Sequence, residues 1–161
     1  MMSKTKPFRV LFVCMGNICR SPAGECVMRH LTEKAGSGEL IDCDSAGTID
    51  MHTGNQPDSR MRKAARGRGI EVAGAARQIK AADLDAFDLI LAMDADNRAY
   101  IDRLKQQHGG SAELRQFCEL CREHGLVDVP DPYYGGDDGF ELVLDLLEDG
   151  CAALLDEIRR V

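Results

Sequence analysis

The sequence predicts an α/β domain with a mostly parallel sheet and helices on both faces. Three observations predict it. Short, almost continuously apolar runs such as RVLFVC (Arg9–Cys14) and DLILAM (Asp88–Met93) suit strands buried on both faces. Longer stretches with helical spacing alternate with them. The length, 161 residues, fits one domain with a single substantial core, here taken as residues 1–161.

In order, RVLFVC is the first strand. SPAGECVMRHLTEKAG follows as a helix, with a proline in its first turn, Ala23, Val27, Met28 and Leu31 on one face and a cap at Gly36. LIDCDSAGT (Leu40–Thr48) is a second strand, and PDSRMRKAARGRG a second helix capped by Asp58 or Ser59. DLILAM is the third strand and DADNRAYIDRLKQQHGG the helix after it. ELRQFCEL (Glu113–Leu120) is a candidate fourth strand. Asp137–Arg160 is helical, with an expected break near Gly150.

A net charge of -7 argues against nucleic acid as the main partner. No apolar run has the length of a membrane span, and the opening MMSKTKPFRV lacks the apolar stretch of a leader. The seven cysteines are odd in number and scattered, which suits free thiols in a reducing, cytoplasmic setting. In parallel α/β sheets, ligands sit at the carboxyl ends of strands. The first such turn is VCMGNICRSP (Val13–Pro22).

Its Cys14-x5-Arg20 spacing says little alone, since pairs like it arise by chance in a chain this rich in arginine. The setting says more. A helix start offers unpaired N–H groups and a positive dipole end. Gly16 and Asn17 permit a left-handed turn, and successive inward amides form a nest for phosphate oxygens. Arg20 is placed to clamp two oxygens, and Ser21 to donate to the Cys14 sulfur. Pro22 falls where its missing N–H costs nothing. These surroundings favour the thiolate, a nucleophile able to take a phosphoryl group. The competing reading is a plain Gly-Asn turn with inert cysteines, which leaves Arg20 without a purpose.

CMGNICRSP resembles the phosphate loop of the low-molecular-weight protein tyrosine phosphatases. DSAGT (Asp44–Thr48), ARQI (Ala76–Ile79), FDLILAMDADN (Phe87–Asn97) and DPYYGG (Asp131–Gly136) resemble later motifs of that family in the same order. The resemblance implies a four-stranded parallel sheet, with the phosphate loop at the first strand-to-helix turn. It implies hydrolysis of protein phosphotyrosine without cofactor or metal, phosphate as product, and a monomer or weak dimer. Cys14 would be the nucleophile and Arg20 the phosphate clamp. Met15, Gly16, Asn17, Ile18, Cys19 and Ser21 would complete the cradle. Asp131 would be the general acid and then the base; from spacing alone it reads as an ordinary Asp-Pro turn. Tyr133 and Tyr134 would wall the aryl pocket. Asn17 and Ser45 would brace the loop by hydrogen bonds, with Asp94 and Arg77 as scaffold. The family also implies a disulfide between Cys14 and Cys19 on oxidation.

One departure bears on specificity: Met51 stands where many relatives carry an aromatic at the pocket mouth. The wall stays apolar but is more flexible, so looser phosphotyrosine binding is expected. Among rivals, protein-arginine phosphatases resemble this loop but tend to carry threonine where this chain has Ile18. Thioredoxin-coupled arsenate reductases use further downstream cysteines, and none occurs between Cys43 and Cys118. A non-catalytic phosphoprotein-binding module would need neither Cys14 nor Asp131. Elsewhere, Cys118, Cys121 and His124 form C-x2-C-x2-H, short of the four ligands of a zinc site, and read as packing thiols. RMRKAARGR reads as a solvated basic face.

Overall fold

The computed structural model describes residues 6–133 and 135–160. Four strands, β1 (Phe8–Cys14), β2 (Ile41–Gly47), β3 (Leu89–Ala92) and β4 (Glu113–Gln116), form one parallel sheet in the order β2-β1-β3-β4. The continuous apolar runs are the central strands: Val10, Leu11, Phe12 and Val13 are fully buried, as are Ile90, Leu91 and Ala92. Alternation along β1 divides the core. Val10 and Phe12 face α1 (Arg20–Lys34) and α5 (Asp137–Arg159), whose Val27, Met28, Leu144 and Leu147 complete that layer. Leu11 and Val13 face the other side, where Ile101 of α4 (Ala95–His108) and Leu84 of α3 (Asp83–Ala86) pack. The remaining helix, α2 (Ser59–Arg66), lies against α5.

Helix ends follow the expected chemistry. Asp58, not Ser59, caps α2, its carboxylate accepting from Arg60 N–H at 2.8 Å. The first helix closes at Gly36, whose N–H reaches Glu33 while Ser37 N–H reaches Thr32.

Three elements differ from the sequence reading. The one-turn α3 was not expected; four residues are too few to show a period. The fourth strand stops at Gln116, and Phe117–Leu120 is a 3-10 turn, because Phe117 leaves the strand to bury under α5. And α5 runs unbroken through Gly150. That glycine is a contact, not a break: a Cβ there would lie 2.4 Å from the Phe117 ring. The basic run is only partly solvated, since Arg68 pairs with Glu141, Asp145 and Glu148 of α5.

Candidate active site

The loop between β1 and α1 is held from outside by its carbonyls. Cys14 C=O accepts from Thr48 N–H (2.9 Å), Met15 C=O from Ile49 N–H (3.1 Å) and Ile18 C=O from Asp58 N–H (2.7 Å). In a trans peptide the next N–H points the opposite way, so these anchors turn the amides of Met15, Gly16 and Cys19 toward the loop centre. Asn17 takes the left-handed conformation, φ 57°, and its own N–H donates to Cys14 Sγ at 3.3 Å. Gly47, at the end of β2, makes the support possible. A Cβ there would come within 2.6 Å of Met15 C=O and 3.2 Å of Asn17, so only glycine lets the strand slide beneath the loop.

Side chains fix the sulfur further. Asn17 Oδ1 accepts from Arg77 N–H at 3.0 Å, which settles which end of the amide is which. Its Nδ2 then donates to Ser21 Oγ at 2.7 Å. The Ser21 hydroxyl lies 2.9 Å from Cys14 Sγ and donates to it when the sulfur is a thiolate. The helix beyond has no side-chain cap at its start, so the N–H groups of its first turn are left to a ligand.

Arg20 is almost fully buried, 3 % exposed. Its Nη1 donates to Asp94 Oδ2 (2.6 Å) and to Val129 C=O (3.0 Å), and its Nη2 lies 3.6 Å from Asp131 Oδ2. Burial works against its charge; the Cys14 sulfur, the Asp94 hydrogen bond and Asp131 outweigh it and raise its pKa above the ordinary arginine value. Cys19, the second cysteine of the loop, is buried too. Desolvation first, then Asp58, Cys14 and Asp131, push its thiol far up.

A cavity of ≈ 290 Å³ opens over the loop, lined by Cys14, Met15, Gly16, Ile18, Cys19, Arg20, Ile49, Met51, His52, Asp131 and Tyr133. The structure thus brings together eleven residues named from the sequence, counting Asn17 and Ser21 beneath the floor and leaving out Ile49 and His52, with Met51 the most exposed at 75 %. Tyr134 lies outside the described residues. Ser45 stands behind the loop, but its hydroxyl donates to Glu25 Oε1 at 2.8 Å, so its bracing acts through α1. Arg77 pairs with Asp44 and Asp83. Sequence reasoning missed Ile49 and His52 on the wall and Gly47 beneath the floor, and it gave Asp94 no specific partner. The DSAGT stretch carried the signal for Gly47: a glycine ending a strand beside a loop. Among the described residues no group of three or more His, Cys, Asp or Glu is arranged to hold a metal; Cys121 Sγ donates to Leu146 C=O and His124 pairs with Asp149.

Fold and loop together define a parallel α/β protein with a buried thiol, inward amides and a guanidinium at the carboxyl end of its first strand. Residues 9–161 match the family of low molecular weight phosphotyrosine protein phosphatases. The chain belongs to that family and is a protein-tyrosine-phosphatase. It is 42% identical over 154 residues to a low molecular weight protein-tyrosine-phosphatase of Bacillus subtilis, an alignment spanning 94% of this chain and 96% of that one. A crystal structure of a protein tyrosine phosphatase from Entamoeba histolytica, with Hepes in its active site, superposes with a TM-score of 0.89 at 42% identity, covering 95% of this chain and 97% of the other. An arginine phosphatase from Drosophila shares the fold at a TM-score of 0.86 and 28% identity, covering 92% and 96%. No described helix is long and apolar enough to cross a membrane.

Proposed function

We propose that the chain hydrolyses phosphotyrosine in proteins, and small aryl phosphates, through a cysteinyl-phosphate intermediate. The observation that carries this reading is Cys14 Sγ, hydrogen-bonded by donors and facing a cavity whose walls hold Arg20 and Asp131. The loop amides and Arg20 take the three phosphoryl oxygens, while Ile49, Met51 and Tyr133 flank the ring. Cys14 Sγ attacks phosphorus, the S–P bond forms, and the P–O bond to the ring breaks. The leaving oxygen takes its proton from Asp131. Water then attacks phosphorus, gives a proton to the Asp131 carboxylate and releases orthophosphate and the Cys14 thiolate. The substrates are phosphoproteins, and the enzyme works on them as a monomer or weak dimer in the cytoplasm.

The test is phosphate release from p-nitrophenyl phosphate, phosphotyrosine peptides and phosphoarginine, with a chelator present, for wild type and Asp131→Ala. Asp131→Ala is expected to lose about 10²-fold or more on phosphotyrosine peptides. It should lose less on p-nitrophenyl phosphate, whose leaving group needs little protonation. Faster turnover of phosphoarginine than of phosphotyrosine would favour a second reading, a protein-arginine phosphatase, which the Drosophila likeness supports. Ile18, half-buried in the cavity wall, favours tyrosine.

A further inference from the structure

We propose that Arg60 is a positioning residue that holds the Asp131 segment against the phosphate loop and so sets where the general acid stands. This rests on the reading of Asp131 given above. Arg60 is not on the cavity wall. Its contacts run instead between the two loops that must meet around a substrate.

The chain of contacts starts at the phosphate loop. Asp58 N–H donates to Ile18 C=O at 2.7 Å. The Asp58 carboxylate, 11% exposed, takes Arg60 in a fork, from Nε at 3.1 Å and Nη2 at 3.0 Å, and also accepts Arg60 N–H. A forked pair fixes the plane of the guanidinium. That plane aims Nη2 at Tyr133 C=O, 3.0 Å away. The guanidinium also lies over two rings, 5.5 Å from the Tyr133 centroid and 4.8 Å from that of Phe140.

Tyr133 is where this chain reaches the acid. Its N–H donates to Asp131 Oδ1 at 3.1 Å, leaving Oδ2 turned toward Arg20 at 3.6 Å. One residue therefore has its carbonyl held by Arg60 while its amide holds Asp131. The upstream end of the same segment is fixed separately, by Val129 N–H on Met93 C=O and Arg20 on Val129 C=O. Downstream, Arg60 adds its hold to that of Gly135 N–H on Pro132 C=O, 3.0 Å. Without Arg60 the Tyr133 carbonyl turns to water, and the Asp131 carboxylate loses a fixed direction.

The consequence is selective. A misdirected acid slows reactions whose leaving oxygen must be protonated and spares those whose leaving group departs as an anion. The test compares wild type, Arg60→Met, Arg60→Lys, Asp131→Ala and the Arg60→Met/Asp131→Ala pair on aryl phosphates from p-nitrophenyl to phenyl. Hydrogen exchange of the segment around Tyr133 is followed in parallel. Arg60→Met is expected to lower kcat about tenfold on phenyl phosphate and within about threefold on p-nitrophenyl phosphate, steepening the dependence on leaving-group pKa. Added to Asp131→Ala, it should cost less than about twofold more. Exchange at the Tyr133 segment should rise while the phosphate-loop amides keep their protection. Arg60→Lys, with a cation but no fork, should fall between. Equal losses on both leaving groups, full loss in the Asp131→Ala background, or unchanged exchange would overturn the proposal. Equal kcat for wild type and Asp131→Ala on phenyl phosphate would remove the acid itself, and the proposal with it; faster exchange in Arg60→Met would then show that the error lay in the acid and not in the tether.

Discussion

Two turns of this molecule carry paired cysteines, and they make opposite use of them. Around Cys14 the sulfur meets donors: the Asn17 amide, the Ser21 hydroxyl and the Arg20 charge. Around Cys121 it meets acceptors. Its thiol donates to Leu146 C=O at 3.5 Å, and its hydrogen bond to Cys118 first, then burial, then nearby Asp149, push its pKa far up. The carboxylate beside it, Asp149, gathers the N–H groups of Arg122, Glu123 and His124 and the His124 ring. Both turns fold tightly and both bury sulfur. On the proposed function, whether amides or carbonyls face the sulfur decides which thiol would be a reagent and which packing.

Exchanging sulfur for oxygen breaks the comparison most sharply. Cys14→Ser is expected to lose about 10⁴-fold or more in kcat, measured on p-nitrophenyl phosphate, since a hydroxyl in that cradle is not ionised. Cys121→Ser should stay within about twofold. Activity in Cys14→Ser near wild type would erase the distinction.

The next effect falls on stability. Asp149→Ala removes the charged acceptor of three turn amides, and a loss of about 2 kcal/mol is expected in urea unfolding, with kcat unchanged. Burial opposes the Asp149 charge, but the His124 ring and the amides of Arg122 and Glu123 hold its carboxyl below the ordinary value of 3.8. Its contribution is therefore full above about pH 4 and is lost as pH falls through the lowered folded value. Asp149→Asn should flatten that part of the acid limb.

The smallest effect is alkaline. Burial pushes the Cys43 thiol from 9.0 up to about 12. The unfolded chain releases that proton near pH 9 while the folded chain keeps it, so stability is full below pH 9 and declines as pH rises toward 12. The slope is about 1.4 kcal/mol per pH unit for one such thiol. Urea midpoints between pH 8 and 10 should fall less steeply in Cys43→Ala.

The sheet was legible because β3, and β1 apart from Arg9, are apolar runs, a pattern few other elements share. The fourth strand was half legible: ELRQFCEL reads as one run, and only the pull of Phe117 into the core ends it at Gln116. Gly150 misled because a glycine in a helix signals a break or a close neighbour equally well, and the neighbour, Phe117, is distant in sequence. In the site, Cys14, Asn17, Arg20 and Ser21 were legible as one contiguous turn. Ile49 and His52 were not, for they reach the cavity only through the register of β2 beside β1. Asp131 was carried by resemblance alone, and nothing in its spacing from Arg20 foretells their 3.6 Å approach.

Two helices begin side by side at the carboxyl edge of this sheet, and only one of them is open. Asp94 gives Oδ1 to the Asn97 amide of α4 and Oδ2 to Arg20. A negative charge thus already occupies the positive pole of α4, while the start of α1 has no side-chain cap. The same carboxylate that steadies the arginine also closes the rival doorway. On the mechanism proposed above, an incoming dianion would be drawn to the uncapped start of α1, beside Cys14 Sγ, rather than to the capped start of α4.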